Sequence, residues 1–218
     1  ASAPEDRQRI CELLEIITQG QQTDLVRFAS AGPDRIAAFD TDRDLEEYTY
    51  CVAGCVGEFW TIMCRAHLFP KADLDDTPLL ADAIRFGKGL QLVNILRDLP
   101  MDLRQGRCYV PRARLAEHGL EPDALLNASE MGRFRPLYAS YLEKARELLA
   151  AGWAYTNALP RSQIRVRLAC AWPILIGMKT LARLRAGNVL DDRRRIKVSR
   201  GEVRRLMLRS VLCYPSPR

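Results

Sequence analysis

Gln91-Leu-Val-Asn94-Ile-Leu-Arg97-Asp98-Leu-Pro-Met-Asp102 sets four polar side chains at helical spacing inside an apolar run. Asn94, Asp98 and Asp102 stand at i, i+4 and i+8, so a helix stacks them on one face, and Gln91 joins the same stripe three residues earlier. Two carboxylates and an amide oxygen are hard ligands suited to Mg²⁺, which keeps several waters and bridges to substrate phosphates. Arg97, Arg104 and Arg107 flank the acids, and guanidinium groups are natural partners for diphosphate oxygens. A salt-bridged, solvated helix face has the same spacing. Two details argue against it. Carboxylates four apart repel unless a cation or base offsets them. The uncharged Gln91 and Asn94 fit a ligand shell better than a solubilising surface.

Helical periodicity continues outward in both directions. Leu79–Leu99 reads as one long helix ended by Pro100. Upstream, Ile10, Leu13, Leu14 and Ile17 mark a helix from Asp6 to Thr18, with Gly20 as its stop. Asp42 is the expected N-cap of the next helix, with Asp44, Glu46 and Glu47 near the positive end of its dipole. That helix runs through Tyr48, Val52, Gly57 and Trp60 toward Cys64. Downstream, Arg104–Pro111 reads as a loop, and short helices are expected in 111–120 and 121–126. A long helix spans Arg133–Asn157 and is closed by Pro160. Another spans Arg161–Ala186, bent at Pro173, and a basic terminal helix covers Ser199–Leu212. No alternating strand, repeat or low-complexity linker interrupts the pattern. The expectation is an all-α, single-domain helical bundle over residues 1–218, a length sufficient for one sizeable core.

Gly54 and Gly57 sit inside a helical segment, where glycine costs about 1 kcal/mol against alanine. Such residues allow close helix packing or leave room for a ligand chain. Tyr48 lies one turn before Val52 on that face. A tyrosine hydroxyl in a dry site relays a proton or donates to a diphosphate.

The net charge of +6 is compatible with nucleic acid, anionic membrane surfaces or polyanionic small substrates. Part of it lies in Arg193-Arg-Arg-Ile-Lys197 and in the stretch from Arg200 to Arg209. That end lacks aromatic interleaving and a recognisable module, which argues against nucleic acid. The seven cysteines are odd in number, and with only His67 and His118 no zinc-finger spacing arises. Buried free thiols in a reducing, cytoplasmic setting are expected. Leu168–Met178 is too short to cross a bilayer. Ala1-Ser-Ala-Pro-Glu-Asp-Arg has no signal-peptide pattern and reads as entry into a helix mid-domain.

At two segments the chain resembles the squalene/phytoene synthase family of head-to-head trans-isoprenyl diphosphate synthases. Tyr48-x3-Val-Ala-Gly-x-Val-Gly57 is similar to the family's tyrosine-bearing helix. Gln91-x2-Asn94-Ile-Leu-Arg97-Asp98-x3-Asp102, followed by Gln-Gly-Arg107-x-Tyr-x-Pro111, is similar to its second aspartate-rich motif. Gly20-Gln-Gln-Thr-Asp24-Leu25 is similar to the family's short loop before the tyrosine helix. The resemblance implies an isoprenoid-synthase fold with a central cavity. It implies that two farnesyl (or geranylgeranyl) diphosphates join through a cyclopropyl diphosphate, presqualene diphosphate in the farnesyl case. Asp98 and Asp102, with Asn94, would hold Mg²⁺, and Gln91 and Asn94 would stand in the diphosphate shell. Arg97 and Arg107 would bind phosphate, and Tyr48 would be the proton-relay tyrosine. Val52, Ala53, Val56 and Gly57 would line the prenyl cavity.

The resemblance also implies a first aspartate-rich motif well upstream of the tyrosine helix. In the 47 residues before Tyr48 no Asp-x3-Asp pair is read: Asp40-Thr-Asp42 and Asp42-x-Asp44 have the wrong spacing and place, and Asp73-Leu-Asp-Asp76 lies in the wrong part of the chain. The expectation is that N-terminal helices are missing and that this chain by itself lacks one metal cluster. Val-Gly57-Glu-Phe-Trp60 and the segment Ala171–Leu181 look more like bacterial squalene synthases, which implies NADPH for the second half-reaction. Phytoene synthase and a presqualene-diphosphate-only enzyme are the alternatives within the family. A non-catalytic helical scaffold subunit is the alternative outside it. Peripheral membrane contact through the basic C-terminal helix stands beside a simply solvated basic end, and the oligomeric state is unspecified.

Overall fold

The computed structural model describes residues 4–32, 34–191, 193 and 196–212, so Cys213, Arg194 and the first three residues lie outside the described residues. The bundle is built from eight α-helices among the described residues: α1 Pro4–Arg27, α2 Asp42–Thr49, α3 Cys55–His67, α4 Asp76–Arg104, α5 Arg112–Ala116, α6 Met131–Ala158, α7 Ile164–Ala186 and α8 Arg200–Leu212. A π-helical turn, Tyr50–Gly54, joins α2 to α3. One hydrophobic core runs through the structure, with Leu92, Leu96, Leu99 and Leu103 of α4 against Phe134, Leu137, Leu142 and Leu149 of α6.

Pro100 does not end α4, contrary to the sequence reading. The helix continues to Arg104 because the disruption at the proline is satisfied from outside. Proline cannot donate to the carbonyl four residues earlier, which leaves the Leu96 oxygen unpaired. The buried Tyr138 hydroxyl of α6 donates to that oxygen at 2.9 Å. Asp102 therefore stays on the helix one turn beyond Asp98. Tyr138→Phe is expected to lower stability by about 1–3 kcal/mol, since it strands a buried carbonyl. A denaturant titration would measure this, and an unchanged midpoint would refute the repair.

Gly20 does not stop α1, which runs on to Arg27, so the stretch Gly20 to Leu25 is helical rather than the expected loop. The glycine instead marks a close approach, because a Cβ there would lie 2.6 Å from Cys51 Cβ. The N-cap of α2 is Thr41 rather than Asp42, in a capping box with Asp44. The Arg104–Pro111 segment is more ordered than a loop. Arg107–Cys108 pairs in parallel with Ala37–Ala38. Gly106, at φ +79°, makes the turn after α4 that brings Arg107 and Tyr109 back beside it. Among the described cysteines, Cys55, Cys64, Cys108 and Cys170 are buried free thiols, whereas Cys11 is exposed.

Candidate active site

One face of α4 changes character along its length. Ala83, Gly87 and Leu90 line an apolar cavity, and Gln91, Asn94, Asp98 and Asp102 continue the same stripe with polar groups. The cavity has a volume of about 350 Å³. Val52, Ala53, Val56 and Gly57 line it from the facing segment, and Cys170 and Pro173 of α7 close a third side. At 1.5 Å per residue, Gly87 and Asp98 are separated by about 16 Å along the helix.

Backbone meets backbone across this wall. A Cβ on Gly57 would lie 2.2 Å from the Ala83 carbonyl oxygen, and one on Gly87 would lie 2.2 Å from that of Ala53. Close packing therefore explains Gly57, which also lines the cavity. The π-turn at Tyr50–Gly54 shifts the register of the helix between Tyr48 and Val52, the kind of local widening that recurs at functional sites.

The polar end gathers residues from four parts of the chain. Asp102 is half-buried, and its carboxyl is pushed up to about 6 by burial and by the neighbouring Asp98, with Arg107 opposing. Arg97 pairs with Asp98, its Nε donating at 2.9 Å and its Nη2 also donating to the carboxylate. Arg107 Nη1 donates to Asp24 at 2.9 Å, and its guanidinium lies over Phe28. The Tyr109 hydroxyl donates to the other Asp24 oxygen at 3.0 Å. Tyr48 stacks on Tyr109 with ring centroids 5.1 Å apart. Burial, with Asp24 and Asp102 nearby, raises the Tyr48 phenol above its ordinary value, so it holds its proton at neutral pH.

The structure thus brings Tyr48, Arg97, Asp98, Asp102 and Arg107 together. Gln91 and Asn94 stand on the same face of α4, about two turns and one turn before Asp98, and Asn94 is exposed. Asp24 and Tyr109 belong to the cluster although sequence reasoning gave them no role. Tyr109 sits two residues after Arg107 in the quoted motif, which was a usable signal. Asp24 lies 83 residues from Arg107 in sequence and carries no local one. Contrary to the sequence reading, Asp40 and Asp44 form an Asp-x3-Asp pair directly before the tyrosine helix, but both are paired with Arg27 and Asp44 also closes the capping box.

Asp24 is only 8% exposed and its two oxygens hold two different donors. It fixes the direction of Arg107, so Asp24→Asn is expected to weaken diphosphate binding about 10–100-fold, as loss of an orienting partner does. Calorimetric titration with inorganic diphosphate and Mg²⁺ would measure it. An unaltered affinity would show that Arg107 needs no such support.

The donor set fits Mg²⁺. Asp98 and Asp102 offer two carboxylates one turn apart, and the Asp102 carboxyl is raised first by burial and then by the neighbouring Asp98. Among the described residues no group of three or more His, Cys, Asp or Glu side chains encloses a metal position. Mg²⁺ is commonly held by one or two carboxylates together with water and substrate phosphates.

A helical bundle with an apolar cavity beside an acid and arginine cluster has the architecture of an isoprenoid synthase. A family model described as squalene/phytoene synthase matches residues 1–202, and the chain belongs to that family. It is 33% identical over 166 residues to a 15-cis-phytoene synthase of Paracoccus sp., covering 72% of this chain and 47% of that protein. It is 32% identical over 138 residues to a phytoene synthase of Thermus thermophilus, covering 63% of this chain and 44% of that protein. Among solved structures, squalene synthase HpnC from Alicyclobacillus acidocaldarius shares the fold with TM-score 0.63 at 23% identity, over 80% of this chain and 59% of that one. A dehydrosqualene synthase in complex with ligand gives TM-score 0.71 at 24% identity, over 92% of this chain and 65% of that one. The chain spans less than half the length of these two curated relatives, 47% and 44%.

Proposed function

We propose that the chain forms the diphosphate-binding wall and part of the prenyl cavity of an enzyme that joins two prenyl diphosphates head to head. The observation that carries this reading is the α4 stripe, apolar from Ala83 to Leu90 and acidic from Asp98 to Asp102. That order matches an amphiphilic substrate with a hydrocarbon chain and a diphosphate head.

The roles follow from charge and burial. Asp98 and Asp102, with Asn94 and Gln91 beside them, would hold Mg²⁺ and the head group. Bound Mg²⁺ would neutralise the leaving diphosphate and favour its departure. Arg107, directed by Asp24, and Arg97 would bind the diphosphate oxygens. The cavity walls at Val52, Ala53, Val56 and Gly57 would keep water from the allylic cation. Tyr48 retains its proton, so it would act as a neutral hydroxyl that donates or relays rather than as a phenolate.

The resemblance of Val56–Trp60 and Ala171–Leu181 supports a farnesyl substrate and a squalene-type product, with NADPH as reductant. The phytoene synthases among the relatives, each above 30% identity, support a geranylgeranyl substrate and phytoene instead. The cavity wall offers NADPH no comparable fit. The glycines of the cavity wall are met by facing backbone, which leaves no cradle for a pyrophosphate.

Incubating the protein with farnesyl or geranylgeranyl diphosphate, with and without Mg²⁺ and NADPH, tests this. Squalene only with NADPH supports the first product, and phytoene without it supports the second. Absence of both products, together with no Mg²⁺-dependent binding of a farnesyl thiodiphosphate, would favour a non-catalytic scaffold.

A further inference from the structure

Gly152 lies buried within α6, where glycine is a poorer helix former than alanine. What it makes room for lies on α4. A Cβ on Gly152 would stand 2.4 Å from Phe86 Cδ2, 2.6 Å from its Cγ and 3.1 Å from its Cβ. Gly57 and Gly87 are met by backbone, which cannot turn aside. The atoms nearest Gly152 all belong to one side chain, and a side chain can change rotamer.

That side chain is part of the cavity wall. Phe86 of α4 and Tyr155 of α6 both line the cavity, with ring centroids 6.5 Å apart. Tyr155 is pinned, because its hydroxyl is hydrogen-bonded to that of Thr61 at 3.0 Å. Phe86 has no polar group to hold it. Its ring is drawn back toward α6, into the space that Gly152 leaves, while it still faces the cavity. A methyl group at position 152 would drive the ring forward into that open volume.

Depth gives the ring its consequence. Phe86 precedes Asp98 by 12 residues, about 18 Å along the helix, and the lining continues to Ala83, about 22 Å from Asp98. An extended prenyl chain advances about 5 Å per isoprene unit, four carbon–carbon bonds of about 1.5 Å in zigzag. Measured from the acidic end, three units stop short of Phe86 and a fourth reaches past it.

We propose that Gly152 and Phe86 together set the length of prenyl chain that the cavity accepts: Gly152 holds the ring back, and the space so opened admits a fourth isoprene unit beside it. Phe86 touches the end of the chain, and Gly152 is a positioning residue that acts through Phe86. This role rests on the prenyl reading given above.

Calorimetric titration with farnesyl and geranylgeranyl thiodiphosphates in the presence of Mg²⁺ tests it. The wild type should bind both. Gly152→Ala should lose at least about tenfold in affinity for the geranylgeranyl analogue and little for the farnesyl one, because only the fourth unit meets the displaced ring. Phe86→Trp should shift the ratio in the same direction, since the larger ring outgrows the space at Gly152. The Gly152→Ala/Phe86→Ala variant should recover geranylgeranyl binding, because its added methyl meets no ring. A purely structural role would lower both affinities alike, and removing a second core side chain would restore neither. If Gly152→Ala does not fold, Phe86→Trp and the double variant decide. An unchanged ratio in Gly152→Ala and Phe86→Trp, or no recovery in the double variant, would overturn the proposal. So would a wild type that binds the farnesyl analogue alone. A wild type that binds neither analogue would instead remove the prenyl reading, and this role with it.

Discussion

If Asp102 holds Mg²⁺ in a prenyl-joining enzyme, as proposed, Asp102→Asn should remove most turnover and yet raise the melting temperature of the metal-free protein at pH 8. Asp102 is half-buried beside Asp98, and its carboxyl is raised from 3.8 to about 6. The folded state therefore binds this proton more tightly than the unfolded chain does. Stability falls as pH rises from 3.8 through about 6, and the full penalty is present above that range. Asparagine carries no such penalty. The variant's excess stability should be complete above about pH 6 and should vanish below about pH 4. Mg²⁺ with a farnesyl thiodiphosphate should reverse the order, because only the wild type gains the full binding free energy of the ligand. Turnover should drop about 10²–10³-fold, the usual loss when one electrostatic stabiliser of a leaving group is removed. Melting curves at several pH values, with and without ligand, check the stability half. A variant that melts below the wild type at pH 8, or gains as much from Mg²⁺ and analogue, would remove Asp102 from the metal site.

Gly87→Ala should be among the most destabilising single-methyl additions in the molecule. The new Cβ would stand 2.2 Å from the Ala53 carbonyl oxygen and 2.8 Å from its carbon. Both are backbone atoms, so no rotamer change relieves the contact and the two helical segments must separate. Overpacking of this kind costs about 1–3 kcal/mol, and a backbone collision belongs at the upper end. The melting temperature should drop by about 6–12 °C, taking 2–4 °C per kcal/mol for a chain of this size. Separation would also loosen the cavity wall at Ala53 and Gly57, so analogue binding should weaken with stability. Gly132→Ala is the control. Nothing lies within 4 Å of its added methyl, and α6 should gain up to about 1 kcal/mol from the better helix former. Equal melting of the two variants would show that the close approach does not constrain the fold.

Much of the site was legible because helices convert spacing into geometry. Asn94, Asp98 and Asp102 share a face wherever α4 is a helix, whatever packs around it. The same holds for Tyr48 and Val52, although the π-turn adjusts their relative orientation. Local rules misplaced two boundaries for one reason. Gly20 and Pro100 break isolated helices, yet each is accommodated by a distant group. Cys51 packs against the space that a side chain at Gly20 would need. Tyr138, 42 residues from Leu96, donates to the carbonyl that Pro100 cannot reach. That hydroxyl satisfies the carbonyl left open just before the turn on which Asp102 stands.

The sequence by itself determined the helical class, the order of the helices and the acid stripe of α4, because 3.6-residue periodicity and i, i+4 spacing are properties of a local chain. Only the tertiary structure decided that Asp24 directs Arg107 and Tyr109, that Tyr48 is stacked against Tyr109, and that the acid stripe continues into an apolar cavity. Those contacts join residues up to 85 positions apart. They depend on how α1, α4 and the Gly106 turn pack together, and no spacing within one segment encodes that.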